Sequence, residues 1–203
     1  MIYPDKKVVV GITGGMGSGK STVTGFFEKN GAIAIYADQL AKFYTSKDSP
    51  IKIELKELFG SSVIFENGEV DRKLISNQIF QNPEKYRSLT NLIHPKVRME
   101  TREKIHNSPP KSLIAWEVPL LFETGGDAIC THTICVHAEE KQAIDRVRLR
   151  DGLNEIEYKN RMKFQMKIEE KFEKAEFKIE NNSSLQELER KSLELYYIIR
   201  KGT

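Results

Sequence analysis

Eight residues constrain this chain more than any others: Gly14-Gly15-Met16-Gly17-Ser18-Gly19-Lys20-Ser21. They follow a β-branched run, Lys7–Thr13 (KVVVGIT), which reads as a strand buried on both faces. They open a segment, Lys20–Asn30, in which Val23, Phe26 and Phe27 share a helical face and Gly31 is the stop signal. The spacing G-x-x-x-x-G-K-S between strand and helix is that of a phosphate-cradling loop. Its glycines let backbone N–H groups turn inward, and the helix that follows presents its positive end to the same anion. Lys20 can reach the β- and γ-oxygens of a nucleoside triphosphate, and the Ser21 hydroxyl can help hold Mg²⁺. A second buried run, Ala32–Ala37 (AIAIYA), completes a βαβ unit, whose crossover is right-handed in nearly all proteins. A parallel α/β sheet that binds a nucleoside triphosphate is the expectation.

Further apolar strands are expected at Leu113–Val118, Thr133–His137 and Phe177–Ile179. Between the second and third strands, residues 39–106 carry apolar residues at helical spacing: Leu55, Leu58, Phe59; Leu74, Ile75, Ile79; Leu89, Leu92, Ile93. Asn67-Gly68 marks a turn within this segment, and His94-Pro95 is expected to end an apolar helix. The segment exceeds what a crossover helix requires, so it forms its own lobe. A charged helix pair is expected at 139–174, split near Asp151-Gly152. Residues 141–174 hold ten Lys/Arg against seven Asp/Glu, an excess equal to the net +3 of the whole chain. That total is too small for a chain whose task is coating nucleic acid. No apolar run approaches the ~20 residues needed to span a bilayer. The opening MIYPDKKVVVGITGG is not an export signal, so a cytoplasmic location is expected. Cys130 and Cys135 fit neither a disulfide framework nor a zinc quartet and read as reduced thiols on or near a strand.

Neither N-K-x-D nor T-K-x-D occurs, which argues against a guanine-specific switch and for ATP. Asp38 stands at the carboxyl end of the second strand, where open parallel sheets bind their ligands. There it can take the proton of an acceptor hydroxyl, or simply cap a helix beginning near Gln39. Glu117, at the end of the third strand, can contact Mg²⁺ through water or pair with a local base. Glu123 can act in catalysis, or cap or pair locally, and Trp116 reads as core. Arg146 and Arg150 lie four apart on one helical face, with Arg148 turned away. They suit a lid that closes over a triphosphate, or else a solvated surface helix. Asp71-Arg72 and His94-Pro95 each read as structural by themselves, and of these Arg72 is the better candidate for meeting an anionic substrate through bidentate phosphate contact.

Taken together these motifs resemble the dephospho-CoA kinase family, over nearly the whole chain. GITGGMGSGKSTV at 11–23 is similar to its phosphate loop, and the Asp38 segment to its D-A-D motif. Asp71-Arg72, Phe80 with Asn82-Pro83, and Ile93-His94-Pro95 resemble its CoA-binding lobe. PLLFE at 119–123, then Gln142, Arg146, Arg150-Asp151, Gln165 and Ala175–Asn181 follow in family order. The resemblance implies a P-loop NTPase fold: a five-stranded parallel sheet flanked by helices, with a helical insertion and a helical lid. The nucleotide-binding core would be 1–38, 107–138 and 171–203, the CoA-substrate lobe 39–106, and the lid 139–170. The implied activity is ATP-dependent phosphorylation of the ribose 3′-hydroxyl of dephospho-CoA, with ATP as co-substrate and Mg²⁺. Another P-loop nucleotide or small-molecule kinase, or a nucleotide-dependent switch, stands as the alternative. Asp38, Lys20, Arg146 and Arg150 would be catalytic. Gly15, Met16, Gly17, Ser18, Gly19, Lys20, Ser21, Thr22 and Asn181 would bind nucleotide, Arg72 and His94 the acceptor, and Ser21 and Glu117 the metal. Expected partners are ATP and dephospho-CoA, with no nucleic acid or membrane, in a monomer or weak homo-oligomer. Tyr36 stands where the family has the first Asp of D-A-D, and the late motif reads AEFKIEN.

Overall fold

A central strand paired on both sides organises the molecule. In this computed structural model, which describes Tyr3 and residues 5–202, β1 (Val8–Gly14) is buried along its whole length. It pairs in parallel with β3 (Leu113–Glu117) on one side and β4 (His132–His137) on the other. Outside these lie β2 (Ile33–Tyr36), parallel to β3, and β5 (Phe177–Glu180), parallel to β4. The order is β2-β3-β1-β4-β5, the five-stranded parallel sheet expected from the sequence. Buried on both faces, β1 and β3 read as continuous apolar runs with no polar alternation.

On one face, α1 (Lys20–Lys29) and α9 (Leu185–Lys201) pack against the strands. Val10 and Ile12 of β1 join Val23 and Phe27 of α1 and Leu188, Tyr196 and Ile199 of α9 in one core. The rings of Phe27 and Tyr196 meet edge to face at 5.4 Å. Burying a ring of that size contributes about 2–3 kcal/mol. Trp116 is core, as its place on β3 implies.

Contacts divide the chain into two compact units, Met1–Tyr36 with Lys104–Thr203, and Ala37–Glu103. The second holds α2 (Ala37–Phe43), α3 (Lys52–Phe59), α4 (Arg72–Gln81) and most of α5 (Pro83–Asn107). The Asn67-Gly68 turn closes a short hairpin there, with Ile64 bridged to Val70. Asp71 caps α4 by accepting from Leu74 N at 2.8 Å.

Two expectations need correction. His94-Pro95 does not end a helix, because α5 continues through Pro95 to Asn107. An internal proline removes one hydrogen bond and costs about 3 kcal/mol. Ile93 and Val97, buried on either side of it, supply the packing that offsets this. The charged stretch is also three helices rather than two: α6 (Glu140–Asp151), α7 (Glu155–Met162) and α8 (Ile168–Lys174). Gly152, left-handed at φ 69°, ends α6, and a reciprocal Asn154–Glu157 capping box starts α7. Among the described residues no helix is long and apolar enough to cross a membrane.

Candidate functional site

The loop between β1 and α1 is shaped by what crowds it. Gly17 sits at φ +77°, and a Cβ there would lie 2.5 Å from the Ala143 carbonyl oxygen and 2.9 Å from Val147 Cγ2, both on α6. Gly19, at φ +99°, would place a Cβ 2.4 Å from Asn181 Nδ2. Left-handed backbone and lack of space both demand glycine at these positions. Gly19 is also the N-cap of α1, which has no side-chain cap and no acidic residue in its first turn. The helix therefore offers its N–H groups and positive end to the loop.

Lys20, only 8% exposed, turns back so that Nζ donates to the Gly15 carbonyl at 2.8 Å. Its ammonium thus lies inside the loop. Ser21 Oγ donates to Glu117 Oε1 at 2.9 Å, which joins the first turn of α1 to the carboxyl end of β3. The two residues expected to share a metal are therefore in contact. Ser18 is buried, and its hydroxyl has no hydrogen-bond partner among the described residues. A buried hydroxyl without a partner is costly unless a ligand or water satisfies it. Beside the loop lies a cavity of about 440 Å³ lined by Gly15, Met16, Ser18, Ala143, Tyr158 and Met162, among others. That volume is within the usual range for a small-molecule site.

Two side chains from distant segments brace the loop. Asn181, just past β5, is buried; its Nδ2 donates to the Ser18 carbonyl at 2.8 Å, and its backbone N to His137 O at 2.7 Å. Arg146 of α6 donates through Nη1 to Gly17 O at 3.4 Å and through Nη2 to Asn181 O and Gln142 Oε1, both at 3.0 Å. Ala143, Val147, Leu153 and Tyr158 form a small core of their own, against which Met16 and Met162 pack. The phosphate loop is thus seated on α6 and α7 as well as on the sheet.

Other expected residues go elsewhere. Arg150 is exposed and grips its neighbour Asp151 through Nε and Nη2, at 2.9 and 2.7 Å. Arg148 pairs with Asp145 on the solvated side. Asp38 does not cap a helix, since α2 begins at Ala37 and the carboxylate belongs to its first turn. There it is exposed and complements the helix dipole. Arg72 donates through Nε to Thr45 O and through Nη2 to Lys42 O, both at 2.8 Å. That tethers the carboxyl end of α2. His94 is half-buried in α5. Tyr36 is the register partner of Glu117, and its hydroxyl donates to Glu28 Oε2 at 3.1 Å. Burial and the Glu28 carboxylate push this phenol up to about 12. Both cysteines are buried free thiols, pushed up to about 12 by burial.

Sequence reasoning missed the lysine of α8. Lys171 is fully buried, with Nζ 2.8 Å from Glu123 Oε1 and 2.6 Å from Pro119 O. Glu123, open between catalysis and a local cap or pair, is one half of that pair. It also missed Thr13, whose hydroxyl donates to the same Pro119 carbonyl at 3.1 Å.

Comparison with known proteins places this arrangement. The sequence model of the dephospho-CoA kinase family matches residues 8–187. A dephospho-CoA kinase of Leptospira interrogans is 40% identical over 191 residues, 94% of this chain and 92% of that one. One from Fusobacterium nucleatum is 35% identical over 184 residues, 91% of this chain and 94% of that one. Among solved structures, one from Thermus thermophilus gives a TM-score of 0.79 at 33% identity, covering 95% of this chain and 97% of that one. A dephospho-CoA kinase from Campylobacter jejuni gives 0.70 at 26% identity, covering 97% and 98%. A Sinorhizobium meliloti gluconokinase, at 15% identity and TM-score 0.58 over 100% of this chain and 97% of that one, shares the fold. With the match running from β1 into α9, the chain belongs to the dephospho-CoA kinase family.

Proposed function

We propose that this protein transfers the γ-phosphoryl group of ATP to the ribose 3′-hydroxyl of dephospho-CoA, giving coenzyme A and ADP. The observation that carries the reading is the loop itself. A buried ammonium, a buried hydroxyl without a partner among the described residues and a helix start without a side-chain cap converge on one cradle, in a member of this family.

In the reaction the acceptor oxygen bonds to the γ-phosphorus, the bond from that phosphorus to the β–γ bridging oxygen breaks, and the hydroxyl proton leaves. Asp38 takes that proton, as an exposed carboxylate two residues beyond the end of β2. Lys20 and the loop N–H groups hold the triphosphate and stabilise charge as the bond breaks. Arg146 positions the loop through Gly17 and lies close enough to neutralise phosphate charge. Arg150 joins it only when its grip on Asp151 is exchanged for phosphate, a charge-for-charge replacement. The segment 139–170 acts as a lid that excludes water. Arg72 and His94 serve the acceptor from the unit Ala37–Glu103.

Mg²⁺ fits the oxygens present. Ser21 Oγ and Glu117 Oε1 are hard donors 2.9 Å apart, and this ion takes few protein ligands while keeping its own waters. Those two residues would hold it, and when bound it supplies positive charge to the triphosphate.

One coupled assay tests the proposal: ADP release with dephospho-CoA, with nucleoside monophosphates, and with no acceptor. Turnover dependent on dephospho-CoA is the expected result. Equal turnover without acceptor would make the chain a nucleotide-hydrolysing switch, and a preference for nucleoside monophosphates a different kinase.

A further inference from the structure

We propose that the buried pair Lys171–Glu123 is a positioning device: it fastens the α7–α8 connection to the shoulder of the phosphate loop, and phosphoryl transfer depends on it. The proposal rests on the kinase reading above and adds two residues to its machinery.

The geometry is directional at every contact. Lys171 Nζ, on a side chain 1% exposed, reaches Glu123 Oε1 at 2.8 Å and donates to the Pro119 carbonyl at 2.6 Å. The same carboxylate oxygen accepts from Met166 N at 2.8 Å, in the segment between α7 and α8. Gln165 N in turn donates to Met162 O at 3.0 Å, closing the turn that ends α7. Met162 Cε lies 3.5 Å from where a Cβ on Gly15 would stand, so this segment meets the phosphate loop directly. From the other side, Thr13, two residues before Gly15, donates to the Pro119 carbonyl that Lys171 uses. The Lys171 ammonium, the Glu123 carboxylate and the Pro119 carbonyl that Lys171 shares with Thr13 therefore link three segments: the start of the phosphate loop, the stretch after β3, and the root of α8. Electrostatics agrees with this placement. Burial raises the Cys135 thiol to about 12, and against that rise the ammonium groups of Lys171 and Lys20 both pull on it.

A buried ion pair is a poor way to add stability, because desolvation cancels most of the attraction and well-packed apolar side chains usually do as well. Directional contacts to Pro119 O and Met166 N are what apolar side chains could not supply. In a phosphoryl-transfer site small displacements are costly, since about 1 Å of misplacement can lower turnover about 10²-fold.

The test separates positioning from packing. Lys171→Met/Glu123→Leu replaces the pair by apolar side chains, and Glu123→Gln and Glu123→Leu are compared with it at a temperature where circular dichroism shows each folded. The double variant is expected to melt near the wild type, yet turn over at least about tenfold more slowly, with KM for dephospho-CoA changed by less than about twofold. Glu123→Gln keeps an acceptor oxygen for Met166 N and is expected to retain at least about fivefold more turnover than Glu123→Leu. A double variant with wild-type turnover, or equal turnover in the two single variants, would overturn the proposal. A readout free of the substrate is hydrogen exchange at the Met166 amide, followed by NMR. Exchange in Glu123→Leu should be at least about tenfold faster than in wild type, and unchanged exchange would also overturn the proposal. Absence of dephospho-CoA turnover in the wild type would remove the kinase reading and leave that exchange result standing on its own.

Discussion

Replacing Asn181 by alanine removes a side-chain donor to the Ser18 carbonyl of the phosphate loop. Its Nδ2 lies 2.8 Å from that oxygen, in a residue only 7% exposed. The backbone bonds to His137 O and from Arg146 survive the truncation, so the change isolates one contact. A buried carbonyl left without its donor costs about 1–3 kcal/mol. For a chain of this length each kcal/mol lowers the melting temperature by about 2–4 °C, so a fall of about 2–12 °C is expected. The second effect is on ligand. The same amide wedges against Gly19, at 2.4 Å from a Cβ built there, and so fixes the peptide at the head of α1. With that peptide free to tilt, ATP affinity should drop about tenfold, equivalent to about 1.4 kcal/mol. Thermal melts with and without ATP, and titration calorimetry with ATP alone, read both effects. A melting temperature within about 1 °C of wild type together with unchanged ATP affinity would refute the reasoning. It would mean the Ser18 carbonyl finds another donor at no cost.

Gly17→Ala adds a methyl group at φ +77° against the Ala143 carbonyl. It should weaken ATP binding and increase proteolysis within 139–170, and unchanged cleavage would show that α6 yields freely. Asp38→Asn removes the proposed base from an exposed position, so turnover should fall about 10²–10⁴-fold with ATP affinity within about twofold. Lys20→Ala should lower ATP affinity and turnover together, because its charge acts on both ground and transition states; loss of turnover alone would contradict that role. Alkaline stability follows from the thiols. Cys130 and Cys135 are raised from 9.0 to about 12 in the folded chain, so the unfolded state loses these protons first as pH rises. Their stabilising effect is full below about pH 9 and is lost towards pH 12, at roughly 1.4 kcal/mol per pH unit per thiol. Urea midpoints at pH 8, 9, 10 and 11 that do not fall would refute this.

What the sequence made legible was local. Strand, glycine loop and helix from Val8 to Lys29 are contiguous, and each glycine spacing carries its own backbone requirement. The buried strands β1 and β3 were readable for the same reason, as largely apolar runs with no polar alternation. Pro95 favours a helix end locally, and the packing around Ile93 and Val97 overrides that preference. Of the two readings open for Asp38, proton acceptor or cap, the structure removes the cap, because α2 starts two residues before Gln39, within the ordinary looseness of helix ends.

The charged stretch shows where pattern stops being informative. Arg146 and Arg150 share a helical face in sequence, with Arg148 turned away to pair with Asp145, yet Arg146 braces the phosphate loop and Arg150 grips Asp151. Lys159–Glu155 and Arg148–Asp145 are the exposed pairs that a charge run normally makes, and water and salt screen such pairs. Lys171 sits in the same kind of run, IEEKFEK, and is the member that is wholly buried. Nothing within that helix marks it, because its carboxylate and carbonyl partners come from the stretch after β3. A helical charge run beside a nucleotide loop is therefore sorted by the segments it meets. Within these helices burial separates the charge that ties segments together, Lys171, from the solvated ones, and its loss should change turnover without its touching substrate.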